Sequence, residues 1–167
     1  LEPRKKDSYQ KFADDFIKMD ILVVCPNCSQ KAIVKPSNFS YTNVEQCDIK
    51  IICPKCGYNK KLVEKPASII NYTKFEVTTD RYYIVGREID PFFHLPLWLK
   101  TDFEGYTFWA YNIEHLEFLQ GHIEAKLRER NGQELFNRSM GSRLPKWMTS
   151  KKNREALLKK INELKIK

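Results

Sequence analysis

Short blocks of β-branched residues recur along the first part of the chain, and polar residues separate them. The blocks are ILVV at 21–24, AIV at 32–34, IKII at 49–52 and LV at 62–63. β-Branched side chains favour extended backbone, and blocks of this length are typical of short strands. The pattern therefore predicts four strands in two pairs, with a polar turn inside each pair.

The β-prone pattern continues over residues 66–90. Apolar blocks at 69–70, 75–77 and 82–85 are separated by polar residues. We expect two or three further strands in this stretch.

Aromatic residues are dense between positions 91 and 111. Gly105 lies between two apolar blocks, 97–99 and 107–109, where a hairpin turn is expected. Aromatic rings in a basic protein can stack on nucleic-acid bases, but a domain this small needs its rings for the core. We expect the core role for these rings.

Three segments have apolar residues at helical spacing. Residues 3–19 predict a short amphipathic helix, and Asn112 is placed to cap a long helix that runs to Arg130. A third helix is expected from Lys151, with Ser150 as its cap. The expected apolar positions are Tyr9, Phe12, Phe16 and Met19 in the first, Ile113, Leu116, Leu119, Ile123 and Leu127 in the second, and Leu157, Ile161 and Leu164 in the third.

These elements predict an α+β fold in which a small ribbon is joined to a mixed α/β body. We expect four segments: an N-terminal helical segment, the ribbon, a body of strands and a long helix, and a basic C-terminal helical segment. Their boundaries are 1–19, 20–65, 66–137 and 138–167.

Two cysteine pairs stand inside the first two strand pairs, as CPNC at 25–28 and CPKCG at 53–57. The N-terminus lacks the apolar core of a secretory signal, so a cytoplasmic location is expected, where thiols stay reduced. A thioredoxin-like redox motif would contain one such pair at the start of a helix, not two between strands. The spacing therefore predicts a structural zinc site with the ligands Cys25, Cys28, Cys53 and Cys56.

The residues around the pairs suit tight turns that aim backbone N–H groups at sulfur. Gly57 permits a positive φ after Cys56, and Asn27 is the residue expected to do so in the first turn. Four thiolates around Zn²⁺ leave a charge of −2. We expect four nearby lysines to offset it: Lys31, Lys55, Lys60 and Lys61.

The paired CPxC elements resemble the knuckles of zinc-ribbon proteins over about residues 20–65. The stretch from 90 to 164 resembles an uncharacterised bacterial zinc-ribbon-containing family. This resemblance implies metal binding, and it implies no particular activity.

Several other residues that could carry chemistry favour structural roles. Cys47 has no second cysteine at the C-x-x-C spacing. We interpret it as a small apolar residue, although it could replace one of the four zinc ligands. His94, His115 and His122 are more typical of structural histidines than of ligands. A metal-dependent nuclease pattern can be fitted to Asp90 and Glu124, but the second acid falls on a predicted helix. With the zinc shell closed by four thiolates, we expect no enzymatic activity.

Positive charge is concentrated in the last segment. Residues 138–167 hold ten Lys and Arg against two Glu, a net +8 that equals the net charge of the whole chain. Clustered cations gain from counterion release on nucleic acid, although such runs are also typical of a solvated helix face. A membrane-surface helix is less favoured because an aromatic insertion face is missing. The expected nucleic-acid-binding residues are Arg143, Lys146, Lys151, Lys152, Arg154, Lys159 and Lys160.

The sequence thus predicts a non-catalytic zinc-binding module whose partner is DNA or RNA. The alternative is a protein–protein interaction module, of an accessory or immunity type, with a purely structural zinc. No apolar run reaches the length of a membrane span, and no motif for a small-molecule substrate is evident.

Overall fold

The computed structural model describes residues 4–5, 10–37, 39, 48–62, 67–72, 77–81, 84–125, 127–128 and 139–167. Helices and mainly antiparallel strands are both present, so the predicted α+β class is confirmed. The chain forms two compact units: a ribbon unit, Asp20–Trp98, and a helical unit that combines Leu1–Met19 with Leu99–Lys167. The four-segment division of the sequence stays a prediction.

The described strands are β1 Arg4–Lys5, β2 Ile21–Val24, β3 Lys31–Lys35, β4 Lys50–Ile52, β5 Asn59–Lys61, β6 Ala67–Tyr72, β7 Val77–Arg81, β8 Leu99–Phe103, β9 Tyr106–Ala110 and β10 Leu127–Arg128. The described helices are α1 Ala13–Ile17, α2 Ile113–Glu124, α3 Met140–Arg143, α4 Lys146–Thr149 and α5 Arg154–Lys165. None of the described helices is both long and apolar enough to cross a bilayer.

The ribbon unit is built on an antiparallel sheet in the order β2-β3-β4-β5. Alternate side chains point to opposite faces of a strand, and Ile21, Val23, Ala32, Val34 and Ile51 bury theirs on one face. The strands predicted at 21–24, 32–34 and 49–52 are confirmed as β2, β3 and β4. The fourth was placed wrongly at 62–63: β5 covers Asn59–Lys61, where the backbone pairs with β4. Each cysteine pair lies in the turn of one hairpin.

The strands β6 and β7 form a separate two-stranded antiparallel sheet in the ribbon unit. The prediction of two or three strands over residues 66–90 is met by these two. At the remaining apolar block, 82–85, Tyr82 and Tyr83 lie outside the described residues, and Ile84 and Val85 are not in a strand.

A tight loop follows, and the buried carboxylate of Asp90 organises it. This carboxylate accepts hydrogen bonds from the backbone N–H groups of Phe92, Phe93 and Leu95 at 2.6 to 2.9 Å. Burial raises the pKa of Asp90, and the three N–H groups act in the opposite direction. The carboxylate that a nuclease pattern would use is thus engaged with backbone.

In the helical unit, β8 and β9 form the hairpin that Gly105 predicted. Glu104 and Gly105 both have positive φ, 46° and 81°, which is the signature of the tight turns that match the twist of paired strands. Glu104 thus adopts a left-handed backbone conformation that glycine adopts more easily.

The predicted capping of α2 is confirmed. The Asn112 side chain accepts a hydrogen bond from the His115 N–H at 2.9 Å and donates one to the Phe16 carbonyl at 2.9 Å. One buried amide therefore starts α2 and ties the end of α1 to it.

The predicted ends of the helices were wrong in three places. The first helix covers only Ala13–Ile17, and Arg4–Lys5 instead pairs in parallel with Leu127–Arg128. The same pairing stops α2 at Glu124 instead of Arg130. A long-range strand pair thus replaces helical turns at both sites.

The third helix begins at Arg154, not at Lys151, and Asn153 rather than Ser150 is its N-cap residue. The amide of Asn153 donates to the Trp147 carbonyl at 3.1 Å, which holds α4 against the start of α5. Its apolar line is confirmed: Leu157, Ile161 and Leu164 are buried.

His115 lies in the core of the helical unit with 1% of its surface exposed. Its Nδ1 accepts a hydrogen bond from the Tyr111 N–H at 3.2 Å, and its ring stacks on Phe16 with centroids 4.7 Å apart. Burial disfavours the imidazolium and lowers the pKa of His115 to about 3. The ring is therefore neutral at physiological pH.

This lowered pKa predicts an acid-sensitive helical unit. The unfolded histidine takes up a proton below a pKa of about 6.5, whereas the folded one stays neutral down to about 3. Stability should thus fall as pH drops through this window, by at most about 1.4 kcal/mol per pH unit. Urea unfolding over a pH series measures it. His115→Gln should be less stable at neutral pH but show a shallower acid dependence, and parallel profiles would contradict the prediction.

Candidate metal centre

The sulfur atoms of Cys25, Cys28, Cys53 and Cys56 lie within 4.8 Å of one another. Two of the separations are 3.7 Å, between Cys25 and Cys56, and 3.6 Å, between Cys28 and Cys53. A regular tetrahedron with metal–sulfur bonds of about 2.3 Å has sulfur–sulfur edges of about 3.8 Å. The four thiols are not bridged by disulfides, and the cluster has the dimensions of a four-coordinate metal site.

The two turns that carry the cysteines have the same backbone. In the first, the Cys25 N–H donates to the Gln30 carbonyl at 2.8 Å and the Ser29 N–H donates to the Cys25 carbonyl at 3.0 Å. In the second turn, the backbone of Cys53 makes the same two hydrogen bonds, donating one at 2.7 Å and accepting one at 2.9 Å. The structure thus contains a ribbon-like pair of knuckles that approach one metal position from two hairpins.

The positive φ of the first knuckle falls on Ser29, at 58°, and not on Asn27 as predicted. Ser29 follows Cys28 as Gly57, with φ 75°, follows Cys56. Aligning the two CPxC elements could have identified Ser29, because the position after the second cysteine must turn left-handed in both.

Asn27 contacts the sulfurs instead. Its N–H donates to the Cys25 sulfur at 3.4 Å, and its side-chain amide donates to the Cys56 sulfur at 3.5 Å. Donors of this kind orient thiolate ligands and reduce their charge. Asn27 is thus a supporting residue that joins the two knuckles.

The electrostatics of the cluster favour a bound cation. The Asn27 amide and the Tyr58 N–H lower the pKa of Cys56 to about 6. The Gln30 N–H acts in the same direction on Cys28, but burial and the three neighbouring sulfurs outweigh it and raise the pKa of Cys28 to about 12. Thiolates held this close repel one another, and a bound cation compensates their charge.

Burial differs between the two cysteines of each knuckle. Cys25 and Cys53 are buried in the sheet, whereas Cys28 is half-buried and Cys56 is exposed. A metal held here would sit at the edge of the ribbon unit, with one side near solvent.

The four lysines expected to offset the thiolate charge have exposed positions around the knuckles. Lys61 pairs with Asp48 at 2.9 Å, which lowers the pKa of that carboxyl. The donors seen at sulfur are N–H groups of Asn27, Gln30 and Tyr58. Neutral donors therefore offset the thiolate charge, which the sequence predicted the lysines would do.

The other candidate residues do not join this cluster. Cys47 lies outside the described residues. His94 is half-buried with φ 57°, in the loop that Asp90 organises, and His115 and His122 are buried on α2 in the helical unit. Among the described residues, the four cysteines are the set whose donor atoms converge on one position.

The expected nucleic-acid-binding residues all lie between α3 and α5 of the helical unit. Arg143, Lys146, Lys151, Lys152 and Lys159 are exposed. Two others are engaged: Arg154 donates its Nε–H to the Ile123 carbonyl at 3.0 Å, and Lys160 pairs with Glu163 at 3.3 Å. Arg154 thus closes the end of α2, a structural role that its charge alone did not suggest.

Comparison with known proteins adds no relative. No family model matches the sequence, and no curated protein or solved structure matches the chain. The chemistry of the site is therefore argued from its own geometry.

The left-handed backbone at Gly57 gives a prediction about the metal centre. Gly57→Ala adds a methyl group into open space, so its cost is backbone strain alone, about 1 kcal/mol. The metal affinity of the variant should fall about fivefold in a chelator competition.

Ser29→Gly is the matched control, since it removes side-chain strain at the equivalent position. Its affinity should equal that of the wild type or exceed it slightly. Equal losses in the two variants would contradict the assignment of the left-handed positions.

Proposed function

We propose that the protein is a zinc-stabilised, non-catalytic binding module that associates with nucleic acid through its basic C-terminal segment. The proposal rests on five cationic side chains that are exposed to solvent. They lie on α3, α4, α5 and the turn between α4 and α5. They are Arg143, Lys146, Lys151, Lys152 and Lys159.

Zinc is the metal proposed for the knuckle pair. Soft thiolates in a tetrahedral arrangement suit Zn²⁺, and four protein ligands leave no open position for a water or a substrate. The metal then acts by joining two hairpins rather than by chemistry. A single iron ion is the competing occupant of four thiolates.

Metal analysis of the purified protein tests this part. We expect one zinc per chain, bound without a visible charge-transfer colour. Cys56→Ser should lose the metal and unfold the ribbon unit, because metal binding and folding are coupled. A metal-free wild type, stoichiometric iron, or a folded Cys56→Ser variant that keeps zinc and loses an enzymatic activity would contradict the proposal.

The support for nucleic acid is electrostatic. Within the part of the chain that the structure describes, none of the five exposed cations forms an ion pair with a carboxylate. Such side chains can exchange condensed counterions on a phosphate backbone, which is the main term in non-specific binding. The paired lysines, Lys160 and Lys165, are less able to do so.

Two double variants with the same change of charge separate these groups. Lys151→Gln with Lys152→Gln removes exposed cations, and Lys160→Gln with Lys165→Gln removes cations paired with Glu163 and Glu117. Binding of duplex DNA is measured over a salt series. The first pair should flatten the plot of log K against log salt by about 1.8, at about 0.9 per phosphate contact.

The second pair should leave the slope nearly unchanged. No binding by the wild type at low salt, or equal effects of the two pairs, would remove the proposal. In both cases the cations of the basic segment would only form a solvated surface.

A protein partner is the second candidate, and a groove between α1 and α2 favours it. The groove has a volume of about 350 Å³ and an apolar lining from Phe16, Met19 and Phe118. Its charged lining is three carboxylates against one ammonium group: Asp15, Glu114 and Glu117, and Lys11. Its acidic groups repel phosphate and suit a basic, partly apolar peptide.

Capture from lysate with and without nuclease separates the two candidates. Nuclease treatment should abolish co-purification if nucleic acid is the partner. A protein that stays bound after nuclease treatment, and is lost on Met19→Glu, would favour the groove.

A further inference from the structure

A tyrosine ring of the β8–β9 hairpin stacks on a tryptophan ring of the basic segment. The ring centroids of Tyr106 and Trp147 are 4.9 Å apart and their planes differ by 9°. Trp147 also stacks on Phe103, at 5.8 Å and 18°. The rings come from the β8–β9 hairpin and from α4, so the fold alone brings them together.

The member of this stack that faces solvent is Tyr106. It is 51% exposed, whereas Phe103 is buried and Trp147 is half-buried. Because Trp147 covers one side of the tyrosine ring, the large accessible fraction leaves ring surface open to a planar ligand. A ring that served only the core would be covered on both sides.

Cations surround Trp147 along the chain. Lys146 precedes it directly, Arg143 lies four residues before it at the end of α3, and Lys151 lies four residues after it in the turn that follows α4; all three are exposed. The hairpin side of the stack carries the exposed acids Asp102 and Glu104. Phosphates are therefore attracted to the α3–α4 side, and a backbone running there can place a base toward Tyr106.

We propose that Tyr106, supported by Trp147, is a stacking platform for an unpaired base, so that the basic segment binds single-stranded nucleic acid in preference to duplex. This inference rests on the nucleic-acid association proposed above and names its substrate class. A duplex hides the faces of its bases, whereas a single strand can turn a base onto an exposed ring. Cations on one side and a ring beside them are the two elements that such sites combine.

Fluorescence anisotropy with three probes tests the inference: oligothymidylate, a duplex of the same length, and inorganic polyphosphate, which lacks bases. The wild type should bind oligothymidylate more tightly than duplex at equal salt. Tyr106→Leu keeps apolar contact with Trp147 but removes the ring, and should lose about tenfold in affinity for oligothymidylate. Its affinity for polyphosphate and its salt slope should not change.

Tyr106→Phe is the matched control, because it keeps the ring and loses only the hydroxyl. It should bind oligothymidylate like the wild type. Thermal unfolding shows whether both variants retain the fold of the helical unit.

The outcomes separate this inference from the proposal on which it rests. Equal affinity for single strand and duplex, together with no loss in Tyr106→Leu, overturns the platform and leaves the basic segment as a general phosphate-binding surface. Absence of binding to all three probes overturns both. A loss in Tyr106→Leu that is equal for polyphosphate and oligothymidylate also overturns the platform, since it reports damage to the fold.

Discussion

Four sulfur atoms set the geometry of the ribbon unit. As thiolates they repel one another, yet two hairpin turns hold them within 4.8 Å. The strand β5, Asn59–Lys61, is exposed at every position and has no apolar side chain to anchor it. Its place at the edge of the sheet therefore depends on the second knuckle. A cation that balanced the sulfurs would convert their repulsion into attraction and hold the two hairpins together.

The helical unit is held by a different means. The buried amide of Asn112 joins α1 to α2, and the apolar side of α5 packs in the core of the same unit. Two four-residue helices, α3 and α4, are fixed between them: the Met140 N–H donates to the Lys11 carbonyl at 2.7 Å, and Asn153 reaches the Trp147 carbonyl. The basic residues are consequently presented on short turns with fixed positions, and not along one continuous helix.

The cysteine cluster and the proposed binding surface belong to different units of the chain. The knuckles use neutral N–H donors to support the sulfurs, so the metal centre is complete without help from the lysines around it. The helical unit carries both an acidic groove and a basic segment. The opposite charges of the groove and of the five exposed cations restrict which partner can approach each one, because a phosphate backbone avoids carboxylates and a basic peptide avoids lysines.

Sequence alone determined the features that depend on neighbours along the chain. The cysteine spacing predicted the metal cluster, β-branched blocks predicted three of the four ribbon strands, Gly105 predicted a hairpin and Asn112 predicted a cap, since each acts through local backbone preference or ligand geometry. Only the tertiary structure decided where α2 ends, because strand pairing between distant segments competes with helix at Glu124. It also decided the contact of Tyr106 with Trp147, which no periodicity encodes, since packing joins residues that are far apart in the chain.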